Sequence, residues 1–290
     1  MMKQRRITIG SAFVVFAALL CLAPILFMLS NSFMSELEIV NRYTSEVTPY
    51  NMLHSDGPLH YYEMSLLPSV ITGTGYGNAL LRNPTYLRLF WNSVLITLPI
   101  IIGQMLVSPI AAYGFENLRW KHKEKLYFLY IIIMLMPLQV LLVPNYIAAE
   151  AFHINGTYLA IILPSIFAPF GTFLIRQQIK GLDKSYIEAA RVDGASEWRV
   201  FSQVLLPNLA PTMIALLVLT FAECWNIVDQ AVVFISSAFD EPLSAYLSRI
   251  IRQDTGIVFA VSIVFMIPAF ILFMIGQDNI AEGIALSGVK

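Results

Sequence analysis

Six long apolar runs constrain this chain more than any other feature of its sequence. A bilayer has a hydrocarbon core about 30 Å thick, and one helix needs roughly 20 apolar residues to cross it. Runs of that kind, with few formal charges, occupy residues 10–30, 91–115, 126–148, 157–176, 208–235 and 256–276. With 57% hydrophobic and 13% charged residues, the 290-residue chain has more apolar surface than a soluble core can bury. We therefore predict an all-α membrane protein with six transmembrane helices.

The distribution of basic residues predicts how the spans are oriented. Cytoplasmic loops carry an excess of Lys and Arg, whereas acidic residues contribute little to orientation. With the N-terminus inside, thirteen of the eighteen basic residues fall on the cytoplasmic side. We therefore expect both termini, and the polar segment between the fourth and fifth runs, to be cytoplasmic. A cleaved signal peptide is the alternative for the first run, but the apolar stretch continues to Leu29 with no small-residue cleavage site.

This topology divides the chain into three parts. Residues 1–30 hold a cytoplasmic tip and the first span, residues 31–90 form one long extracytoplasmic loop, and residues 91–290 carry the other five spans. The third part includes the polar segment 183–207 and a cytoplasmic tail, 277–290. Acidic residues and tyrosines are interleaved in the long loop, a composition that suits either a connector near the headgroups or contact with an external partner.

The polar segment 183–207, called the hinge below, carries signals for two short helices. Ser185 and Glu188 have the spacing of a capping box, which predicts that a helix begins at Ser185. Gly194 comes about two turns later and predicts that this helix ends in the left-handed conformation. A second, amphipathic helix is expected over residues 197–205. The hinge should therefore be a bent pair of short helices under the bilayer.

The residue spacing in the hinge resembles the signature of the permease subunits of binding-protein-dependent ABC importers. That signature reads EAA, three residues, Gly, nine residues, an aliphatic residue, one residue, Leu-Pro. Here it falls on Glu188-Ala189-Ala190, Gly194, Val204 and Leu206-Pro207. Further similarities to the carbohydrate-import branch, and to its smaller, maltose-type permease, lie at Trp91-Asn92-Ser93, residues 111–115, residues 193–196, Trp225-Asn226 and Gly288-Val289-Lys290. The long outer loop is the one part that the resemblance does not cover.

The resemblance implies which residues contact other proteins. In that family the EAA segment is a coupling helix seated in a groove of a cytoplasmic ATPase subunit. It implies that the ATPase-coupling residues are Glu188, Ala189, Ala190, Asp193, Gly194, Leu206 and Pro207. It also implies that the C-terminal tail, with Gly288 and Lys290, extends onto the ATPase dimer, although short tails are often disordered.

The resemblance also implies the partners and the location of the chain. The sequence has no GxxxxGK[ST] phosphate-binding loop, so we expect ATP to be bound by a partner subunit and no cofactor on this chain. The implied partners are a second, different permease, an ABC ATPase dimer and an extracytoplasmic solute-binding protein. The implied location is the bacterial cytoplasmic membrane, in contact with lipid and not with nucleic acid.

Polar residues in the fifth run predict where a solute passes. Thr220, Glu223, Asn226, Asp229 and Gln230 fall on about one half of a helix circumference. Charges within a span usually face a bundle interior or water. The predicted pathway comprises Thr220, Glu223, Trp225, Asn226, Gln230, Thr97 and Gln104. Trp225 would stack on a sugar ring or anchor at the interface.

Alternatives to these assignments stay open at the level of sequence. Thr97 and Gln104 suit hydrogen bonds between helices as well as a pathway, and Asp229 suits simple hydration near the outer end. Permease subunit for a sugar or oligosaccharide is the leading function, and permease for another polar solute is the alternative. A stand-alone secondary transporter leaves the EAA pattern unexplained. An intramembrane hydrolase using Glu223 and Asp229 lacks an HExxH or GxSxG motif.

Overall fold

The computed structural model describes residues 9–43, 67–249 and 255–287. All regular elements within these ranges are helical, which confirms the predicted all-α class. The helices are α1 (Ile9–Asn31), α2 (Glu36–Tyr43), α3 (Thr74–Gly77), α4 (Pro84–Asn117), α5 (Lys123–Met134), α6 (Leu138–Ala151), α7 (Leu159–Ile166), α8 (Pro169–Gly181), α9 (Lys184–Val192), α10 (Glu197–Arg199), α11 (Leu206–Asn208), α12 (Ala210–Trp225), α13 (Asp229–Phe234), α14 (Leu243–Ser248) and α15 (Thr255–Ser287), with π-helical turns at Asn78–Arg82 and Val200–Leu205.

The described helices account for four membrane spans by length and hydropathy, and for up to six when bent pairs are included. The four are Phe13–Asn31, Pro84–Asn117, Leu159–Gly181 and Ile257–Gln277. Two further candidates are helix pairs with a sharp bend, 109° between α5 and α6 and 73° between Glu197–Asn208 and α12. All six apolar runs are therefore helical, while the count of six spans stays a prediction.

Prolines explain where the spans break. Pro137 has the extended angles φ −63° and ψ 144°, and it separates α5 from α6. Pro169 stands at the first position of α8, where its missing amide leaves no helical hydrogen bond unmade. Pro211 occupies the same kind of position in α12, just after the bend at Leu209. Proline disfavours helical geometry in the residue before it, and Ala168 before Pro169 is accordingly extended. Ala210 before Pro211 is helical, so this effect does not account for the bend at Leu209.

The described residues divide into two compact units. The smaller unit takes the chain up to Leu87 together with Arg249–Met266, and the larger unit takes Arg88–Ser248 together with the chain from Ile267. α4 begins at Pro84 rather than near residue 91, where the second apolar run starts. The larger unit contains the hinge and the bent span pairs.

The smaller unit contains the described parts of the predicted outer loop up to Leu87, while residues 44–66 of that loop lie outside the described part of the chain. Glu38 accepts a hydrogen bond from the Ser69 backbone amide at 2.8 Å and forms an ion pair with Arg42 at 3.0 Å. The Ser69 amide is the main reason that the pKa of Glu38 lies below its ordinary value. The Tyr76 hydroxyl donates to Ser32 at 2.7 Å. These bonds hold the segment before residue 44 to the segment after residue 66.

Apolar side chains of the hinge are buried against the spans in the larger unit. This cluster, called the hinge core below, joins residues of α4, α8, the hinge and α12. Its buried members are Ala112, Tyr113, Leu174, Ile175, Ile179, Ile187, Val200, Phe201, Leu205, Leu209 and Leu216. Full burial of one large aliphatic side chain contributes about 1.5–3 kcal/mol. The hinge is therefore packed onto the ends of three span helices rather than hanging from them as a loose connection.

Helices α4, α8 and α12 approach one another at a glycine. A Cβ added to Gly171 of α8 would lie 2.4 Å from Ser108 Oγ and 3.1 Å from Leu216 Cδ2. Ser108 is fully buried, so neither neighbour has open space on the far side to move into. Small residues of this kind let membrane helices pack at short distance. The contact depends on the absence of a side chain at residue 171.

Substitution Gly171→Ala should lower the midpoint of thermal unfolding of the detergent-solubilised chain by several degrees. Overpacking at a buried contact costs about 1–3 kcal/mol. Gly114→Ala is the matched control, because a Cβ added at Gly114 meets nothing within 4 Å. The control should match or exceed the wild-type midpoint, since Ala favours helix over Gly. Equal midpoints for the two variants would contradict the close packing of α8.

Candidate functional site

The first hinge helix, α9, begins under a different cap from the one predicted. The Asp183 side chain accepts a hydrogen bond from the Ser185 backbone amide at 2.9 Å, so Asp183 is the N-cap and Ser185 lies in the first turn. The prediction that Ser185 caps the helix is therefore wrong. Asp183 has extended backbone angles, and its short carboxylate satisfies the Ser185 amide, which is one of the orphan donors of the first turn. That hydrogen bond is also the main reason that the pKa of Asp183 lies below its ordinary value.

Gly194 ends α9 as the sequence predicted. Its φ of +78° lies in the left-handed region. The Ala195 amide donates to the Ala190 carbonyl at 3.0 Å, and the Gly194 amide donates to the Arg191 carbonyl at 3.1 Å. These two bonds define a Schellman motif, which satisfies the last carbonyls of a helix. An added Cβ at Gly194 would meet nothing within 4 Å, so the position requires Gly for its backbone angle and not for space.

The second hinge helix occupies the predicted range and extends to Asn208. Ser196 caps it by accepting a hydrogen bond from the Arg199 amide at 3.4 Å. The helix then passes through a π-helical turn at Val200–Leu205 before Pro207 and Asn208. Periodicity of 3.6 residues did not predict the π turn. The two hinge helices thus form the expected bent pair.

A charged clamp spans the turn between the two hinge helices. Arg191 donates from Nε to Glu197 Oε1 and from a terminal nitrogen to Oε2, each at 3.0 Å. The Tyr113 hydroxyl, near the end of α4, donates to the same Glu197 carboxylate. Hydrogen bonds from Arg191 and Tyr113 lower the pKa of Glu197, which lies outside the apolar runs, so its carboxylate is charged at neutral pH. The clamp ties the turn at Gly194 to α4.

Sequence reasoning missed the clamp. Arg191 and Glu197 have opposite charges six residues apart on either side of Gly194, and that pattern could have indicated a pair closing the turn. Tyr113 lies 84 residues from Glu197, so no local pattern joins them. The contact follows only from the packing of the hinge core.

The outer face of the hinge is exposed and partly apolar. Tyr186 is 63% exposed, Val192 is 87% exposed and Trp198 is 67% exposed. Among the residues predicted to couple to an ATPase, Glu188, Ala189, Asp193, Gly194 and Pro207 are exposed, while Ala190 and Leu206 are half-buried against the hinge core. Large apolar side chains exposed together on a polar segment are typical of a surface that contacts another protein. We call the surface formed by these exposed residues, without the half-buried Ala190 and Leu206, the hinge face.

Three of the predicted pathway residues lie in contacts between helices. The Thr220 hydroxyl donates to Gln104 Oε1 at 2.9 Å, and the Gln104 amide donates to the Ser165 carbonyl at 2.7 Å. The Thr97 hydroxyl donates to the Cys224 carbonyl at 3.3 Å. Thr97, Gln104 and Thr220 are all buried. Their polar groups join α4, α7 and α12, which agrees with the alternative that Thr97 and Gln104 form hydrogen bonds between helices.

Trp225 lies in the core of the larger unit. It is 2% exposed. Its ring stacks on Phe221 with centroids 5.1 Å apart and meets Phe90 edge to face at 5.5 Å. Aromatic side chains in such pairs contribute packing energy beyond the area that they bury. In this structure the faces of Trp225 are covered by protein rather than open to a sugar ring.

The other polar residues of the fifth run form an exposed stripe. Glu223, Asn226 and Asp229 are exposed and Gln230 is half-buried. Gln139, just after the bend at Pro137, donates to Asp229 at 3.2 Å. The break between α5 and α6 therefore meets the break between α12 and α13. Sequence reasoning missed Gln139, because a single polar residue beside a proline gives no periodic signal.

The C-terminal tail and metal-ligating residues remain to be described. Gly288 and Lys290 of the C-terminal tail lie outside the described residues. Among the residues that the structure describes, no group of three or more His, Cys, Asp or Glu could hold a metal ion.

Known proteins are similar to this chain in sequence. AraQ, the permease protein of the arabinooligosaccharide transport system of Halalkalibacterium halodurans, is 28% identical over 98% of this chain and 95% of that protein. LacG, the lactose transport permease protein of Rhizobium radiobacter, is 29% identical over 69% of this chain and 74% of that protein. YurM of Bacillus subtilis, a probable ABC transporter permease protein, is 32% identical over 69% of each chain.

A solved structure shows the same fold. One chain in the crystal structure of a bacterial ABC transporter involved in the import of the acidic polysaccharide alginate superposes with a TM-score of 0.74, at 20% identity, over 93% of this chain and 94% of that chain. A family model described as a binding-protein-dependent transport system inner membrane component matches residues 104–285, which include the hinge and the exposed stripe. This chain therefore belongs to the family of inner membrane components of binding-protein-dependent transport systems.

Proposed function

We propose that this chain is a membrane subunit of an ATP-driven importer for a sugar or oligosaccharide, and that the hinge face docks onto a separate ATPase subunit. The family consists of transport subunits rather than enzymes, so Glu223 and Asp229 are not hydrolytic residues. The relatives named for arabinooligosaccharide and lactose transport support a sugar as cargo. The observation that carries the docking is the exposed aromatic and acidic hinge face, fixed by the clamp to a span helix.

The clamp gives the hinge a mechanical role in this proposal. An ATPase moves a transport subunit only through an element that is rigid and continuous with the spans. The hinge core fixes the inner side of the hinge, and the Arg191–Glu197 pair fixes the angle between its helices. A displacement of the hinge face is thereby transmitted to α4, α8 and α12. Alternating access then arises from rigid-body motion of these helices.

The exposed stripe is the part of the chain that we propose contacts the solute. Carboxylates and amides at Glu223, Asn226, Asp229 and Gln139 accept and donate the hydrogen bonds that sugar hydroxyls form in water. Two carboxylates on this stripe disfavour an anionic cargo by like-charge repulsion. A neutral sugar or other neutral polyol therefore suits the stripe better than a phosphate ester. Exposed charge within an apolar run also requires water or another subunit to cover it.

The proposed assembly has four kinds of component. This chain supplies one hinge face and one half of the translocation pathway, and a second permease supplies the other half. An ATPase dimer binds ATP at the cytoplasmic side, where both termini of this chain are placed by the distribution of Lys and Arg. An extracytoplasmic binding protein delivers the solute. The assembly belongs in the bacterial cytoplasmic membrane.

Co-purification of the tagged chain from native membranes tests the assembly directly. A second permease and an ATPase should be recovered with it. ATP hydrolysis by the reconstituted complex should rise when the captured binding protein is added with one sugar from a panel that includes arabinooligosaccharides and lactose. Recovery of the chain without an ATPase under conditions that preserve other membrane complexes would refute the proposal.

Substitution Gly194→Val should abolish ATP-dependent uptake while the protein still inserts in the membrane. A β-branched residue is strained in the left-handed region by about 1–2 kcal/mol, and the strain would reopen the turn. Gly194→Asn is the matched control, since Asn tolerates this conformation, and it should retain uptake. Membrane insertion is checked by protease accessibility. ATP-dependent uptake is measured in proteoliposomes. Normal uptake by the Val variant would contradict the coupling role.

Substitution Glu197→Gln should lower the amount of solute imported per ATP hydrolysed severalfold, with the complex still assembled. The amide cannot accept both guanidinium hydrogen bonds and the Tyr113 bond, so the hinge and α4 would move less as one body. Glu150→Gln is a matched control, because Glu150 is also exposed and hydrogen-bonded but lies outside the hinge. An unchanged ratio of transport to hydrolysis in Glu197→Gln would show that the clamp is dispensable for coupling.

Alanine at Glu223 should reduce uptake about tenfold by weakening solute contact, and alanine at Asn226 should reduce it severalfold. A hydrogen bond to the charged Glu223 contributes about 1.5 kcal/mol, which corresponds to roughly tenfold in affinity, and one to the neutral Asn226 amide contributes about 1 kcal/mol. Val232→Ala is the control, because Val232 is a 56% exposed apolar residue on α13. The measurement is the concentration dependence of uptake, with co-purification of the ATPase as a check on assembly. Wild-type uptake by both variants would remove this stripe from the pathway.

A further inference from the structure

We propose that the loop between α4 and α5, taken together with the first turn of α5 and called the basic loop below, is a binding site for anionic phospholipid headgroups. The site is made by the exposed basic residues Arg119, Lys121 and Lys125, together with Trp120. The inference does not depend on the docking of an ATPase or on the nature of the cargo. It rests on the exposure of the basic side chains, on the pairing of the neighbouring carboxylates with Arg176, and on the hydrogen bonds that fix the loop backbone.

The acidic residues that flank this loop are engaged by Arg176 of α8. Arg176 is 2% exposed and donates to Glu116 at 3.0 Å and to Glu124 at 2.9 Å. The guanidinium also lies 3.7 Å from the centre of the Tyr127 ring. One buried cation thus binds both carboxylates of the segment 116–125. Since these carboxylates pair with Arg176, the basic side chains of the loop are available to bind an anionic group outside the chain.

The loop is fixed by contacts that leave these charges at the surface. Lys123 donates to the backbone carbonyls of Glu116 at 3.0 Å and Leu118 at 3.3 Å, so this one lysine caps the last turn of α4. The Trp120 indole donates to the Gly114 carbonyl at 3.5 Å, and its ring lies 6.0 Å from the ring of Phe115. Among the described residues, the remaining loop cations form no ion pair within 4.0 Å.

The composition of the exposed surface identifies the ligand as a lipid. Trp120 is 42% exposed and Leu118 is 40% exposed, and both stand beside the three free cations. Tryptophan sits at the boundary between hydrocarbon and headgroups, and clusters of Lys and Arg next to a span bind anionic lipid. The loop joins the apolar helices α4 and α5, which places it at that boundary. An acidic protein surface would match the charges but would not require the apolar residues at the level of the headgroups.

Native mass spectrometry of the full chain in detergent tests the site. The probes are phosphatidylglycerol and phosphatidylcholine, each added at the same concentration, with inorganic phosphate added as a competitor. Wild-type protein should retain phosphatidylglycerol in preference to phosphatidylcholine, and phosphate at millimolar concentration should not displace it. The triple variant R119Q/K121Q/K125Q should lose the preference, with a fall in occupancy of roughly fivefold per charge removed. The control variant K180Q/K184Q/R199Q removes three exposed charges from the α8 terminus and the hinge instead, and should keep the preference.

Each other outcome overturns the proposal. Equal retention of the two lipids by wild type would show that the loop does not select anionic headgroups. Equal losses in the two triple variants would show a general effect of net charge. Displacement by inorganic phosphate would show that the cations bind phosphate without the lipid. Loss of ATPase co-purification in R119Q/K121Q/K125Q, with lipid retention unchanged, would assign the loop to a protein partner. Unfolding temperatures of both variants, measured in the same detergent, separate loss of binding from loss of fold.

Discussion

Burial of the apolar side of the hinge against three span helices is the contact on which the rest of this structure depends. The hinge is polar in composition and would be a solvated connector without it. Ile187, Val200 and Leu205 are each buried, and each contributes about 1.5–3 kcal/mol through the area removed from water. These residues fix the hinge helices in position, and their exposed faces follow from that position. The clamp then needs to stabilise only the angle at Gly194, a task within the reach of a partly exposed ion pair.

Local features of this protein were predictable from sequence, and contacts between distant segments were not. The role of Gly194 in ending α9 was predicted, because this helix end needs a residue with positive φ and the hydrogen bonds that form it join residues close in sequence. Ser185 was assigned wrongly because the helix is capped two residues earlier, by Asp183, which accepts a hydrogen bond from the Ser185 amide itself. Tyr113 could not be linked to Glu197 by any pattern, since only folding brings the end of α4 to the hinge.

The pathway residues show a different limit of sequence reasoning. Helical periodicity places Thr220, Glu223 and Asn226 on one half of a helix, but it does not say what covers each of them. The structure divides this half, with Thr220 bonded to Gln104 inside the bundle and the other two exposed. Pro137 stands at the break between α5 and α6, yet the meeting of this break with the one before α13, at Gln139 and Asp229, depends on the packing of α6 against α13. Polar backbone at such breaks is tolerated where water or protein covers it, which agrees with a site for a polar solute.

The end of α4 connects the hinge to the basic loop. Tyr113 contacts the clamp beneath the hinge face, and four residues later α4 ends and the basic loop begins. Arg176 supports the basic character of this loop, because it pairs with both Glu116 and Glu124. The hinge core and the Arg176 ion pairs both attach to α8, so the two surfaces are held by one pair of helices. A lipid bound at the loop would therefore contact the same helix end that transmits force from the hinge. Membrane composition and ATPase movement would then act on α4 within about two helical turns of each other.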